Sequence, residues 1–137
     1  MKALRTLLKI ARRDLETLRR ALADQFSKDA HVLARIEGHE QAWANERALA
    51  QRDYESARAY GGYAVAARSL RGAMDAERAA IALEIGRLRD LIAEAHVEVR
   101  KFERLIELEA AREKARREKR EDAELDEMAT LRAGRAR

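Results

Sequence analysis

Three histidines, His31, His39 and His96, and three serines, Ser27, Ser56 and Ser69, are among the residues of this 137-residue chain that could ligate a metal or supply a nucleophile. Cysteine is absent, which removes disulfides and thiolate metal sites. On a helix, His31 and His39 share a face but lie about 12 Å apart along the axis, too far to hold one ion. None of the serines sits in a nucleophile motif. Gly61-Gly62 has no following Lys-Ser/Thr and no preceding apolar strand, so it is not a phosphate loop. Carboxylates are abundant, but tuning them for acid–base work requires burial, which an open pair of helices does not supply. The expectation is a protein that is not an enzyme and uses neither cofactor nor metal.

What remains is charge, and it is unevenly placed. Residues 1–20 carry seven Lys/Arg against Asp14 and Glu16, and residues 100–120 carry nine against five acidic residues. Residues 36–99 reverse the balance, with eight basic and eleven acidic side chains. A five-acid cluster, Glu121, Asp122, Glu124, Asp126 and Glu127, precedes the basic tail Arg132, Arg135 and Arg137. Segregation of this kind implies that different parts of the chain meet different partners. The competing account is a solvated helix face laced with i,i+4 pairs such as Glu16 with Arg20. Such pairing does not explain a surplus concentrated in two segments.

The elements that must carry these charges are helices. Proline is absent and the only adjacent glycines are Gly61-Gly62, near the midpoint. Proline costs a helix interior about 3 kcal/mol and glycine about 1, so that pair is the cheapest place to turn. Alanine supplies 29 residues, aromatics only 4% and charged residues 39%, which leaves a thin apolar seam and marks a coiled coil rather than a globular core. In the first half the seam runs Leu4, Leu8, Ala11, Leu15, Leu18, Leu22, Phe26, then Leu33, Ile36, Trp43, Ala50, Tyr54 and Ala57. In the second half it runs Tyr63, Ala67, Leu70, Met74, Glu77, Ile81, Ile85, Leu88, Ile92, Ala95, Val99, Phe102 and Ile106. Steps of four and three keep one stripe toward a partner, and the repeated four at Leu18–Leu22–Phe26 is a stutter.

The expected fold is therefore all-α: two long helices in an antiparallel coiled-coil hairpin, with a bend near residues 58–64. The pattern predicts one domain over 1–137, with helix 1 at about 3–59, helix 2 at about 63–131 and a frayed tail at 132–137. Folding at the glycines sets Leu22 opposite Phe102, Leu18 opposite Ile106, Ile36 opposite Leu88 and Trp43 opposite Ile81. It also brings the two basic segments together at the open end, and leaves a C-terminal overhang. A parallel dimer of unbroken helices is the alternative. The charged start Met1-Lys2-Ala3-Leu4-Arg5 does not read as a signal peptide. No apolar run approaches the ~20 residues of a membrane span, so a cytoplasmic location is expected.

The stretch Glu124-Leu125-Asp126-Glu127-Met128-Ala129 follows Lys101-Phe102-Glu103-Arg104-Leu105 and the charged run 112–122. It resembles the end of the FliJ family of flagellar type III export proteins, and Ala3-Leu4-Arg5-Thr6-Leu7-Leu8-Lys9-Ile10-Ala11 resembles that family's first helix. The resemblance covers essentially the whole chain. It implies an antiparallel hairpin similar to the central stalk of rotary ATPases, associated with the hexameric export ATPase, the cytoplasmic domain of the export gate and export chaperones. It further implies a peripheral position at the flagellar basal body. By position, the two terminal segments would enter the ATPase ring. The long basic side chains Arg12, Arg13, Arg19, Arg116, Arg117 and Arg120 could reach ring carboxylates there, with Leu4 and Leu8 as apolar anchors. Tyr60, Tyr63, Ala67 and Leu70 match the positions that would approach the gate. Tyr54 joins them, because tyrosine is enriched in binding hot spots and three fall within ten residues.

Two other readings compete with this adaptor. A basic helical hairpin with a pI near 9.7 suits a nucleic-acid- or ribosome-binding arm, although the acidic cluster beside residues 100–120 would repel a phosphate backbone and no aromatic interleaves 112–120. A plain structural coiled coil is the third. A salt-dependent shift on DNA or RNA distinguishes the second reading, and stimulation of an ATPase separates the first from the third.

Overall fold

One residue, Asp53, separates α1 (Lys2–Arg52) from α2 (Tyr54–Arg135) in the computed structural model, which describes residues 1–136. Asp53 closes one helix and opens the next. Its N–H donates to the Leu49 carbonyl and its own carbonyl accepts from the Ala57 N–H, both at 3.0 Å. Its carboxylate accepts from the Ser56 hydroxyl at 2.9 Å. Aspartate is among the preferred helix N-caps. Glu55 in the first turn of α2 and Arg52 in the last turn of α1 sit at the ends where the helix dipole favours them.

The all-α hairpin of two long helices agrees with the sequence reading; the position of its bend does not. Residues 58–64 are helical, and Gly61-Gly62 lies inside α2 with no positive φ. The helix boundaries move accordingly, from about 3–59 and 63–131 to 2–52 and 54–135. Residues 132–135, expected to fray, continue α2, and Arg137 lies outside the described residues. Glycine lowers helix stability but does not forbid helical dihedrals. A capped aspartate and the packing around Tyr60, Tyr63 and Ala64 outweigh a propensity penalty of about 1 kcal/mol per glycine.

The chain forms two compact units: Met1–Leu15 with Glu94–Arg137, and Glu16–Ala93. The Glu16–Ala93 unit contains the reversal. Its core is Val32, Ile36, Met74 and Ile81, with Ile85 packed against them. Ala64, Ala67 and Leu88 are also buried. The buried positions Ala67, Met74, Ile81 and Leu88 recur every seven residues, the period of a coiled-coil seam. Across the seam, Arg78 grips Asp29 with two hydrogen bonds of 2.9 and 3.4 Å. Arg35 meets Glu77 at 3.0 Å, and Arg71 bridges Asp75 and Glu40. These pairs are solvent-exposed and screened, so they fix register more than they add stability.

Moving the bend moves every partner. Ile36 packs in the Met74–Ile81 cluster rather than against Leu88, and Trp43 meets Tyr60 rather than Ile81. Phe102 shares a groove with Leu7, Ile10, Ala11 and Asp14, in place of the pairing with Leu22. In the other unit, Leu8, Ala11, Leu15 and Val99 are buried, and Arg12 bonds Glu103 at 3.4 Å. From residue 114 to residue 136, every side chain of that unit is exposed.

Candidate partner-binding surfaces

The unit built from Met1–Leu15 and Glu94–Arg137 brings together basic residues from both ends of the chain. From α1 come Lys2, Arg5, Lys9, Arg12 and Arg13, against Asp14 alone; α2 adds the nine cations of residues 100–120. Most of the latter already have carboxylate neighbours one turn away. Glu109 accepts from Arg116 at 3.4 Å and lies 4.0 Å from Arg112. Glu113 lies 3.9 Å from Arg116 and 3.6 Å from Arg120, and Lys114 lies 3.9 Å from Glu118. Arg117 is exposed and, among the described residues, has no ion-pair partner. Arg19 belongs to the other unit, 3.9 Å from Glu16, which Arg20 also approaches at 3.8 Å.

The apolar side chains beside these cations differ from those expected. Leu8 is buried in the interhelical seam, and Leu4 is half-buried. Leu8 therefore has no side-chain surface left for a partner, because its packing against the second helix consumes it. Leu7 and Ile10 are 44% and 48% exposed instead, and with Phe102, Ala95 and Glu98 they line a shallow groove. Lys101 lies over the Phe102 ring, 4.9 Å from its centroid, a cation–π arrangement. The signal was present in the sequence: Leu7, Ile10 and Asp14 form a second i, i+3, i+7 strip beside the Leu4–Leu8–Ala11–Leu15 seam.

Near the reversal, in the Glu16–Ala93 unit, the aromatic side chains converge on one hydroxyl. Tyr60 Oη accepts from Trp43 Nε1 at 2.9 Å and from Arg47 Nε at 3.3 Å. Donation from Arg47, then from Trp43, lowers the pKa of Tyr60 below the ordinary 10.0, because both donors favour the phenolate. Arg47 also lies over the Trp43 ring at 5.6 Å, and the Tyr60 and Tyr63 rings stack with centroids 6.4 Å apart. His39 sits 5.9 Å from Trp43, and its Nε2 is 3.0 Å from the Ala67 carbonyl. A carbonyl can only accept, so Nε2 carries the proton. The Ala67 side chain is buried in the seam, whereas Tyr54 is 76% exposed and Leu70 51%. Val65 is also exposed, on a different side of α2 from Leu70. Ala67 is thus a packing residue, and what α2 leaves available to a partner here is Tyr54, Leu70 and the outer faces of Tyr60 and Tyr63.

No group of three His, Cys, Asp or Glu that could hold a metal occurs among the described residues. No helix among them is long and apolar enough to cross a membrane. A family model described as "Flagellar FliJ protein" matches residues 1–137, the whole chain. The chain belongs to the FliJ family. No curated protein and no solved structure matches it. Membership gives this chain a flagellar export-related role, in a family of non-enzymatic export components. Its helical hairpin suits that role: the chemistry on its described surface is charge and exposed apolar side chains on helices.

Proposed function

We propose that this FliJ-family chain is a stalk-like adaptor of the flagellar type III export apparatus, linking the hexameric export ATPase to the cytoplasmic domain of the export gate and to export chaperones. It would work in the cytoplasm, peripheral to the basal body. The observation that carries this reading is the gathering of basic residues from both chain ends in one unit, beside the exposed Leu7 and Ile10 and the half-buried Phe102. Long arginine side chains at Arg12, Arg13, Arg116, Arg117 and Arg120 can reach carboxylates lining a ring without a deep pocket. The apolar groove supplies anchorage of a kind that charge alone does not. The exposed Tyr54 and Leu70 and the half-buried Tyr63 near the reversal would face the gate, with Tyr63 stacked on Tyr60, whose hydroxyl Trp43 and Arg47 hold.

ATP hydrolysis and hexamer formation by the flagellar export ATPase test the proposal, with the wild-type chain and with Arg12, Arg13, Arg116 and Arg117 changed to Glu. A variant carrying Glu103→Gln alone controls for loss of the Arg12–Glu103 bond. Stimulation should be lost in the charge-reversed chain and kept in the control. Equal stimulation by all three would reduce the basic surface to a solvated face.

A further inference from the structure

The last turns of α2 carry two arginines that the helix itself cannot satisfy, whereas Glu121 and Glu124 have Arg117 and Arg120 one turn upstream. Upstream, acids and bases alternate at one-turn spacing, and Glu109, Glu113 and Glu118 all find cations along their own helix. Beyond residue 120 the pattern changes to blocks. Glu121 and Glu124 lie at one end, Arg132 and Arg135 at the other, and Leu125, Met128 and Leu131 between them. The residues one turn before Arg132 and Arg135 are Met128, Ala129 and Leu131, apart from Arg132 itself, so neither arginine has an acid within intrahelical reach. At 3.6 residues per turn all seven side chains fall within an arc of about 120° centred on Met128. Leu125, Met128 and Leu131 are 63%, 54% and 57% exposed.

This face is complementary to itself, read in the opposite direction. An antiparallel pairing centred on Met128 sets Met128 against its own copy and Leu125 against Leu131. Glu124 then meets Arg132, and Glu121 meets Arg135. A parallel pairing would set acid on acid and base on base. We propose that the residue 121–135 segment of α2 is a homotypic docking surface, which joins two copies of this chain antiparallel through their C-terminal turns. The overlap covers about 21 Å of helix and lies beyond the part of α2 that packs on α1, so the occupant displaces nothing. Three apolar side chains per copy fall well short of the roughly 1,200 Å² of a standard interface. The contact is therefore weak, steered by charge and sensitive to salt. This inference is independent of the ATPase-facing role of residues 12–13 and 116–120.

Sedimentation equilibrium of the full chain tests the proposal, at micromolar to near-millimolar concentrations and at low and high salt. A concentration-dependent rise toward twice the chain mass is expected at low salt, with at least a tenfold loss of affinity at high salt. Glu121→Arg with Glu124→Arg should abolish self-association, as should Arg132→Glu with Arg135→Glu, and mixing the two variants should restore a heterodimer. The chain has no cysteine, so orientation can be read by disulfide formation. Met128→Cys should cross-link readily, whereas Glu121→Cys should not, because in the antiparallel arrangement its copies lie about 20 Å apart. A chain that stays monomeric throughout, variants that associate like wild type, or equal cross-linking at both positions would each overturn the proposal.

Discussion

Replacing Gly61 and Gly62 by alanine should stabilise the protein. Both lie inside α2 with negative φ, and a Cβ built at either position meets nothing within 4 Å. No steric penalty opposes the change, so helix propensity alone decides its sign. Alanine is favoured over glycine by about 0.8–1.0 kcal/mol in a helix interior, a preference that includes the lower entropy of the unfolded alanine chain. The double variant should gain about 1–2 kcal/mol. For a chain of this size that corresponds to a rise in Tm of roughly 3–8 °C, readable by far-UV circular dichroism during heating and in urea. The companion change Asp53→Ala removes the cap and the Ser56 contact, and should cost about 0.5–2 kcal/mol. If the chain instead reversed at the glycines, alanine there would destabilise and Asp53→Ala would be close to neutral. A glycine pair whose replacement destabilises, with Asp53→Ala neutral, would refute the placement of the bend.

Three further outcomes follow from particular contacts. Met74→Ala should cost about 2–5 kcal/mol, because Met74 is 3% exposed at the centre of the Val32–Ile36–Ile81 cluster; denaturant unfolding measures it, and a cost under 1 kcal/mol would mean that the seam collapses around the gap. Tyr60 should ionise below the ordinary tyrosine range in an ultraviolet titration, and Tyr60→Phe should erase that early phase. Because its folded pKa is lowered from 10.0, its linked contribution is fully present above pH 10 and is lost as pH falls through the lowered value; quenching of Trp43 fluorescence by the adjacent phenolate should track it. Tyr54→Ala combined with Leu70→Ala should weaken binding to the cytoplasmic domain of the gate at least tenfold without changing helicity, and unchanged affinity would remove the reversal from the gate-facing surface.

The fold class was legible because it rests on redundant signals. A chain without proline and with apolar residues at Ala67, Met74, Ile81 and Leu88 has few ways to bury that stripe except against another helix. The bend was not read correctly because propensity ranked the glycines above Asp53, although Asp53-Tyr54-Glu55-Ser56 contains a cap, an acid in the first turn and a second hydroxyl contact. That error propagated into register and hid the Trp43–Tyr60 bond. It also moved the partner of Phe102 to the Leu7–Asp14 segment. Val32, the most buried side chain at 2% exposed, was passed over for its neighbour Leu33; one residue of drift along a thin seam is enough to exchange inside for outside. At the candidate surfaces the charge pattern was plain from composition. Exposure was not: Leu8 and Ala67 are seam residues, while Leu7, Ile10 and Val65 face solvent, a distinction set by the interhelical register.

Docking of the basic unit on the export ATPase through its arginines, as proposed, is tested by a binding titration between the purified ATPase and this chain. The affinity should be measured at about 0.1 M and about 1 M salt, between which the screening length falls from about 10 Å to about 3 Å. The wild-type chain should lose affinity steeply with salt, and the variant with Arg12, Arg13, Arg116 and Arg117 changed to Glu should bind at least tenfold more weakly at the lower salt and show little further dependence. Equal affinities for the two chains, with no response to salt, would contradict the account.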